Sequence, residues 1–215
     1  MNDLFAEPTS DNVKRACKEF DAWKDNPDPA LTELFERYPS NSAADARQVL
    51  IKVVALNALY STQIPVYGDR VPTVYEVARH IVEIDIDPKL AFGSVDLVHK
   101  IAYTTIKGKS HFNYSFATKY CSWHRHNSYP IWDSRVDLYL WTLRNREIGK
   151  TEGFRGFKRK ELWQYPTFKE VIDEFRVHFQ LTEFDYKEID KFLYFEGTKL
   201  FQKDGPVETD SRAPF

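Results

Sequence analysis

Apolar residues recur at helical spacing along most of this chain, with Pro, Gly and Asn breaking the runs. Val13, Ala16, Cys17, Phe20 and Trp23 mark a first helix, with Ser10-Asp11 at its mouth and Asn26-Pro27-Asp28-Pro29 closing it. Leu31, Leu34 and Phe35 mark a second over 30–38. A third, over about 43–62, carries Val49, Leu50, Val53, Val54, Leu56, Leu59 and Tyr60. Apolar residues cover most of its circumference, which predicts a central place in the fold. Pro72-Thr73 opens a fourth helix through Val74, Val77, Ala78 and Ile81, and residues 88–104 hold one or two short ones. Further helices are predicted at about 113–124, 133–144, 166–180 and 185–201. The run 83–87 suits a short extended piece; no other stretch shows the alternation of a strand, so the pattern predicts a nearly all-α protein.

Composition narrows the function classes. The chain has 215 residues and is 42% hydrophobic, enough for one sizeable core or two small lobes. Net charge is −2, so a nucleic-acid partner has to be met by a local basic patch. Cys17 and Cys121 stand far apart with no ligand spacing, which argues against a disulfide framework or a Cys-ligated metal. MNDLFAEPTSD lacks the basic start and apolar run of a signal peptide, and no run approaches a membrane span, so the chain reads as intracellular, cytoplasmic or nucleoid-associated.

Five stretches carry candidate chemistry. Asp133, at the mouth of a helix behind Pro130-Ile131-Trp132, is either a helix cap or a catalytic carboxylate. Tyr60-Ser61-Thr62-Gln63 closes the apolar third helix with hydrogen-bonding side chains; Gln63 offers donor and acceptor to a base edge, or the group is a solvated helix end. Lys107-Gly108-Lys109-Ser110 reads as a turn before a helix, where backbone N–H groups could meet a phosphate; its spacing is not that of a P-loop. Trp123, His124, His126 and Asn127 suit stacking or hydrogen bonding to a substrate, or plain packing, better than a metal site. Arg155, Lys158, Arg159 and Lys160, interleaved with Phe154, Phe157 and Trp163, suit phosphate contacts and base stacking, or form a solvated charge run.

Two of these stretches carry a resemblance. VALNALYSTQIPVY resembles the helix of helix-hairpin-helix DNA glycosylases that ends in a Leu-Ser-Ala-Gln-like motif. SYPIWDSRVDLYLW resembles the segment of that superfamily that delivers the catalytic aspartate at the head of a helix. The SFATKY segment followed by PIWDSRV is similar to the archaeal 8-oxoguanine glycosylase branch. The resemblance covers about 50–145 and implies an all-α, two-lobed helical bundle with a DNA-binding cleft between lobes. Residues 1–50 with 165–203 would form one lobe and 51–150 the other, with 204–215 a loose tail.

The implied activity is cleavage of the N-glycosidic bond of a flipped-out modified base in double-stranded DNA, by a monomer without cofactor or metal. Asp133 would stabilise the oxocarbenium-like sugar, and Gln63 would reach into the DNA beside the extruded nucleotide. Lys107, Gly108, Lys109 and Ser110 would hold phosphates. Lys119, fourteen residues before Asp133, is the candidate Schiff-base nucleophile, with Ser115 on its face. Tyr60, Ser61, Trp123, His124, Trp132, Arg135, Arg155 and Lys158 complete the expected DNA and base contacts. The hairpin signature Leu-Pro-Gly-Val-Gly is absent, which leaves hairpin and lyase activity open. An oxidised purine is the substrate the resemblance favours, with a bulky modified pyrimidine of phage DNA as a variant. The rival class is a non-catalytic helical module that binds DNA or a protein.

Overall fold

A computed structural model describes residues 5–68, 72–106, 108–147 and 153–204. The described chain is predominantly α-helical. In order it runs through α1 (Ser10–Asp21), α2 (Asp28–Arg37), α3 (Ala46–Leu59), α4 (Val74–Glu83), α5 (Asp87–Ala91) and α6 (Asp96–Ala102). Two strands follow, β1 (Tyr103–Ile106) and β2 (Lys109–Phe112), then α7 (Tyr114–His124). The chain ends with α8 (Ser134–Glu147), α9 (Tyr165–His178) and α10 (Tyr186–Asp204). No described helix is long and apolar enough to cross a membrane.

The chain divides into two compact units, residues 1–26 with 130–215, and residues 27–129. Residues 27–50 therefore belong with 51–129, and residues 130–150 with the two ends of the chain.

In the first unit α1, α8 and α10 pack together, with Val13, Phe20, Tyr139, Leu140, Phe192 and Leu193 buried. The approach of α8 to α10 needs a glycine: a Cβ on Gly197 would overlap the Arg135 backbone carbonyl. Tyr165, at the head of α9, donates its hydroxyl to the Pro130 carbonyl at 3.1 Å and so anchors the strand of chain leading to Asp133.

In the second unit α3 buries Val49, Lys52, Val53 and Leu56, the i, i+3, i+4, i+7 stripe of one face. The opposite face is open: Ile51, Val54 and Leu59 are 49%, 40% and 47% exposed. The expected central helix is thus a one-sided one. Lys52 decides its rotation, because the acceptors for its ammonium lie inside, on the chain between α2 and α3.

Two expectations about extended structure are corrected. Residues 83–87 are the end of α4, a turn and the start of α5, with Asp85 at φ 45°. The strands lie instead at 103–112, where β1 and β2 pair antiparallel with Ile106 opposite Lys109 and Tyr103 opposite Phe112. Tyr103, Thr104, Thr105 and Ile106 are aromatic and β-branched, and Gly108 supplies a φ of 75° in the tight connection. Thr104 is buried while Tyr103 and Thr105 are exposed, an alternation too short to stand out in the sequence.

Candidate active site

The second unit gathers four of the predicted residues around α7. Ser115, Lys119 and Trp123 are spaced by four and share one face of this helix. Lys119 is 3% exposed, and its Nζ donates to Ser115 Oγ at 2.6 Å. The same Nζ lies 5.9 Å from the centre of the Tyr60 ring. A cation over an aromatic face in a desolvated place gains about 2 kcal/mol. The Tyr60 ring meets Trp123 edge-on at 6.2 Å, and Trp123 lies 6.0 Å from Phe35. The Tyr60 hydroxyl donates to Asp28 Oδ1 at 2.8 Å, from the first turn of α2. Tyr60, Ser115 and Trp123 are half-buried, so the buried amine is walled by side chains that themselves reach the surface. Asp28 escaped the sequence reading because its Asn-Pro-Asp-Pro setting reads as a helix break.

Tyr60 ends α3 and begins a tight turn. Asn57 Nδ2 donates to the Ile64 carbonyl at 2.7 Å, while Asn57 Oδ1 accepts from Ile64 N at 2.9 Å and Thr62 Oγ1 at 2.8 Å. This clasp holds Ser61 and Gln63 at φ 48° and 62°, the left-handed region that costs a non-glycine residue about 1 kcal/mol or more. Both are exposed at the corner so formed. Asn57 is a second contributor that the sequence reading missed.

The turn expected at a helix N-terminus sits elsewhere. Gly108, Lys109 and Ser110 are exposed at the tip of the β1–β2 ribbon, a strand's length before α7. Their backbone N–H groups therefore do not add to the head of that helix. Lys107 lies outside the described residues. His124 turns inward: its ring lies edge-on to Phe35 at 4.9 Å and its Nε2 stands 3.3 Å from Lys52 Nζ. Burial, then the Lys52 and Arg125 charges, push its pKa well below the usual histidine value.

Lys52 is a buried amine of another kind. Its Nζ donates to the Tyr38 and Ser40 carbonyls and to Asn41 Oδ1, each at 2.9 Å. Asn41 in turn accepts from the Tyr120 hydroxyl at 2.6 Å and donates twice to the Asp87 carboxylate. Burial lowers the Lys52 pKa to about 8, against the opposing pull of Asp87 and Asp45.

The first unit holds Asp133, 8% exposed at the head of α8. Its Oδ1 accepts from Arg135 N at 2.9 Å and Val136 N at 3.0 Å, a side-chain cap at the positive end of a fourteen-residue helix. One turn on, buried Asp137 takes Arg159 Nε at 2.7 Å and Nη2 at 2.6 Å on the same oxygen. Burial raises the Asp137 pKa, although Arg159 pulls it down. Trp132 is buried against Trp163 with ring centres 4.5 Å apart, and the Arg135 guanidinium lies 5.0 Å over the Tyr194 ring.

The basic loop is more internal than its sequence suggests. Arg155 pairs with Glu174 at 2.8 Å and Glu170 at 3.5 Å, Phe154 and Phe157 are buried, and Lys158 is exposed. Among the described residues no cluster of His, Cys, Asp and Glu is placed to hold a metal.

The model of the HI_0787_N N-terminal domain matches residues 12–128, more than half of the chain. The chain belongs to the HI_0787_N family. A Haemophilus influenzae protein described as uncharacterized is 39% identical over 139 residues, covering 64% of this chain and 64% of the relative. No solved structure matches. The HI_0787_N match contains Asp28, Tyr60, Gln63, Ser115, Lys119 and Trp123, whereas Asp133 and everything after it lie beyond the matched residues.

Proposed function

We propose that the protein is a DNA glycosylase of the two-lobed helix-hairpin-helix type, cleaving the N-glycosidic bond of a modified base. The observation that carries the reading is Lys119: a buried amine one helical turn from a hydroxyl and beneath an aromatic face. In its neutral form such an amine attacks the C1′ carbon of the sugar as the bond to the base breaks. The base leaves with the bonding electron pair and takes up a proton. The sugar ring then opens to an imine on Lys119, and loss of a C2′ proton expels the 3′ phosphate, which is strand cleavage. Asp133, the cap of its own helix, supplies a fixed carboxylate against the positive charge that develops on the sugar.

Double-stranded DNA is the partner. Gln63 and Ser61, held on a strained exposed corner, are the groups offered to it, with Lys109 and Ser110 at the ribbon tip. Tyr60 and Trp123 are the aromatic walls for an extruded base, in preference to Trp132, which Trp163 already covers. An oxidised purine is the substrate class the reading favours.

The test is incubation of the full chain with duplexes carrying a panel of modified bases, scored for abasic sites before and after alkali. One of the panel should lose its base, and Asp133→Asn should slow that loss by roughly 10²–10⁴-fold while the helical circular dichroism persists. Base loss at the wild-type rate in Asp133→Asn would remove Asp133 from the chemistry.

A second reading, a non-catalytic interaction module, draws on the exposed apolar face of α3 at Ile51, Val54 and Leu59. It predicts no abasic product from any duplex and indifference to Asp133→Asn.

A further inference from the structure

We infer that Asp28 is a positioning residue for Lys119, acting through Tyr60; this rests on the reading of Lys119 as the nucleophile. Three contacts build the chain. Asp28 Oδ1 accepts from the Tyr60 hydroxyl at 2.8 Å. The Tyr60 ring lies 5.9 Å from Lys119 Nζ. Ser115 Oγ accepts from the same Nζ at 2.6 Å.

Tyr60 needs such a latch. It sits at the last turn of α3, where the chain leaves helical geometry at φ −110° and ψ 9° and enters the strained Ser61–Gln63 corner. Trp123 meets the ring edge-on at 6.2 Å, and the hydrogen bond to a carboxylate that is itself buried, 9% exposed in the first turn of α2, fixes its hydroxyl end. A charge-assisted bond of this kind is stronger than a neutral one. The ring so fixed narrows the path open to the amine, which Ser115 Oγ also holds. Asp28 never meets the DNA; its effect reaches the reacting atom through the phenol.

The residue types fit this division of labour. Asp28 is placed by α2 and Lys119 by α7, two helices that pack on one another within the same unit. The phenol bridges them: its oxygen reaches α2 and its ring reaches α7. Loss of the hydroxyl alone keeps the ring against Trp123 but removes its tie to α2, which separates the latch from the wall. Misplacement of a reacting group by about an ångström costs on the order of 10²-fold in rate.

The test uses the full chain and a duplex with a single abasic site, trapped with borohydride as a function of pH. Lys119→Gln, Tyr60→Phe, Asp28→Ala and Asp28→Asn are compared with the wild type, each also followed by thermal melting. The expected result is a covalent adduct in the wild type that Lys119→Gln abolishes. Tyr60→Phe and Asp28→Ala should trap about ten- to a hundred-fold more slowly and with a displaced pH profile. Asp28→Asn, which keeps an oxygen acceptor, should recover part of the rate lost in Asp28→Ala. Trapping by Tyr60→Phe and Asp28→Ala at the wild-type rate and pH profile overturns the latch and leaves the nucleophile standing. A loss of rate that only parallels a loss of folded protein, with an unchanged pH profile, also overturns it. Absence of any Lys119-dependent adduct in the wild type overturns the latch and the nucleophile together.

Discussion

Lys52 and Lys119 are both lysines buried in residues 27–129, yet their surroundings differ in kind. Lys52 Nζ spends three N–H bonds on two backbone carbonyls and an asparagine oxygen, with a histidine nitrogen 3.3 Å away. Its acceptors sit on the chain that joins α2 to α3, so the ammonium ties the end of one helix to the middle of the next. Lys119 Nζ instead donates to a serine hydroxyl and faces an aromatic ring. A hydroxyl can donate or accept as the amine changes its proton count, whereas a carbonyl can only accept. Lys52 is therefore fixed by acceptors that need its N–H groups, even though burial lowers its pKa to about 8, whereas the Ser115 hydroxyl can follow Lys119 in either proton count.

The largest expected effect that can break this contrast is on the adduct. Lys119→Gln should abolish borohydride trapping on abasic DNA, while Lys52→Met should retain it per folded molecule. The next effect falls on stability and runs the other way. Lys52→Met strands the Tyr38 and Ser40 carbonyls and should cost about 3 kcal/mol in urea unfolding, more than Lys119→Gln costs. Equal losses in the two variants would erase the distinction.

Acid sharpens the comparison further. His124 has a folded pKa well below its ordinary 6.5, so the unfolded chain binds the proton more readily. The His124 contribution to stability should be full above pH 6.5 and fall as the pH drops beneath it, because the unfolded state binds that proton there. Urea midpoints at neutral and mildly acid pH should show this fall in the wild type and a shallower one in His124→Gln. Smallest is the effect at the Ser61–Gln63 corner, where backbone strain is stored. Gln63→Gly removes a left-handed side chain and should raise stability by roughly 0.5–1 kcal/mol while weakening duplex binding.

Much of the helical order was legible from periodicity, because α1, α4 and α9 each bury a clear stripe, although the cap of α1 is Thr9 and not the expected Ser10-Asp11. Three things were not. The inner face of α3 is set by a lysine, and a binary apolar pattern cannot place a charged residue in a core. The β1–β2 ribbon spans four residues a strand, too few for alternation to outweigh the helical runs on each side. Tyr60, beside Lys119, and Asp28, bonded to Tyr60, lie fifty-nine and ninety-one residues before it, and no local spacing ties them to it. Ser115 was legible, since a helix brings residues four apart onto one face. Asp133 was legible as a cap, and its two N–H bonds bear that out, while its catalytic role rests on the proposal.

The measurement that tests the central contrast most directly is peptide mapping of the adduct trapped by borohydride between the wild-type chain and an abasic-site duplex. The account predicts the sugar on Lys119, with Lys52 unmodified in the same digest. An adduct on Lys52 or on any other lysine, or no adduct at all, would contradict it.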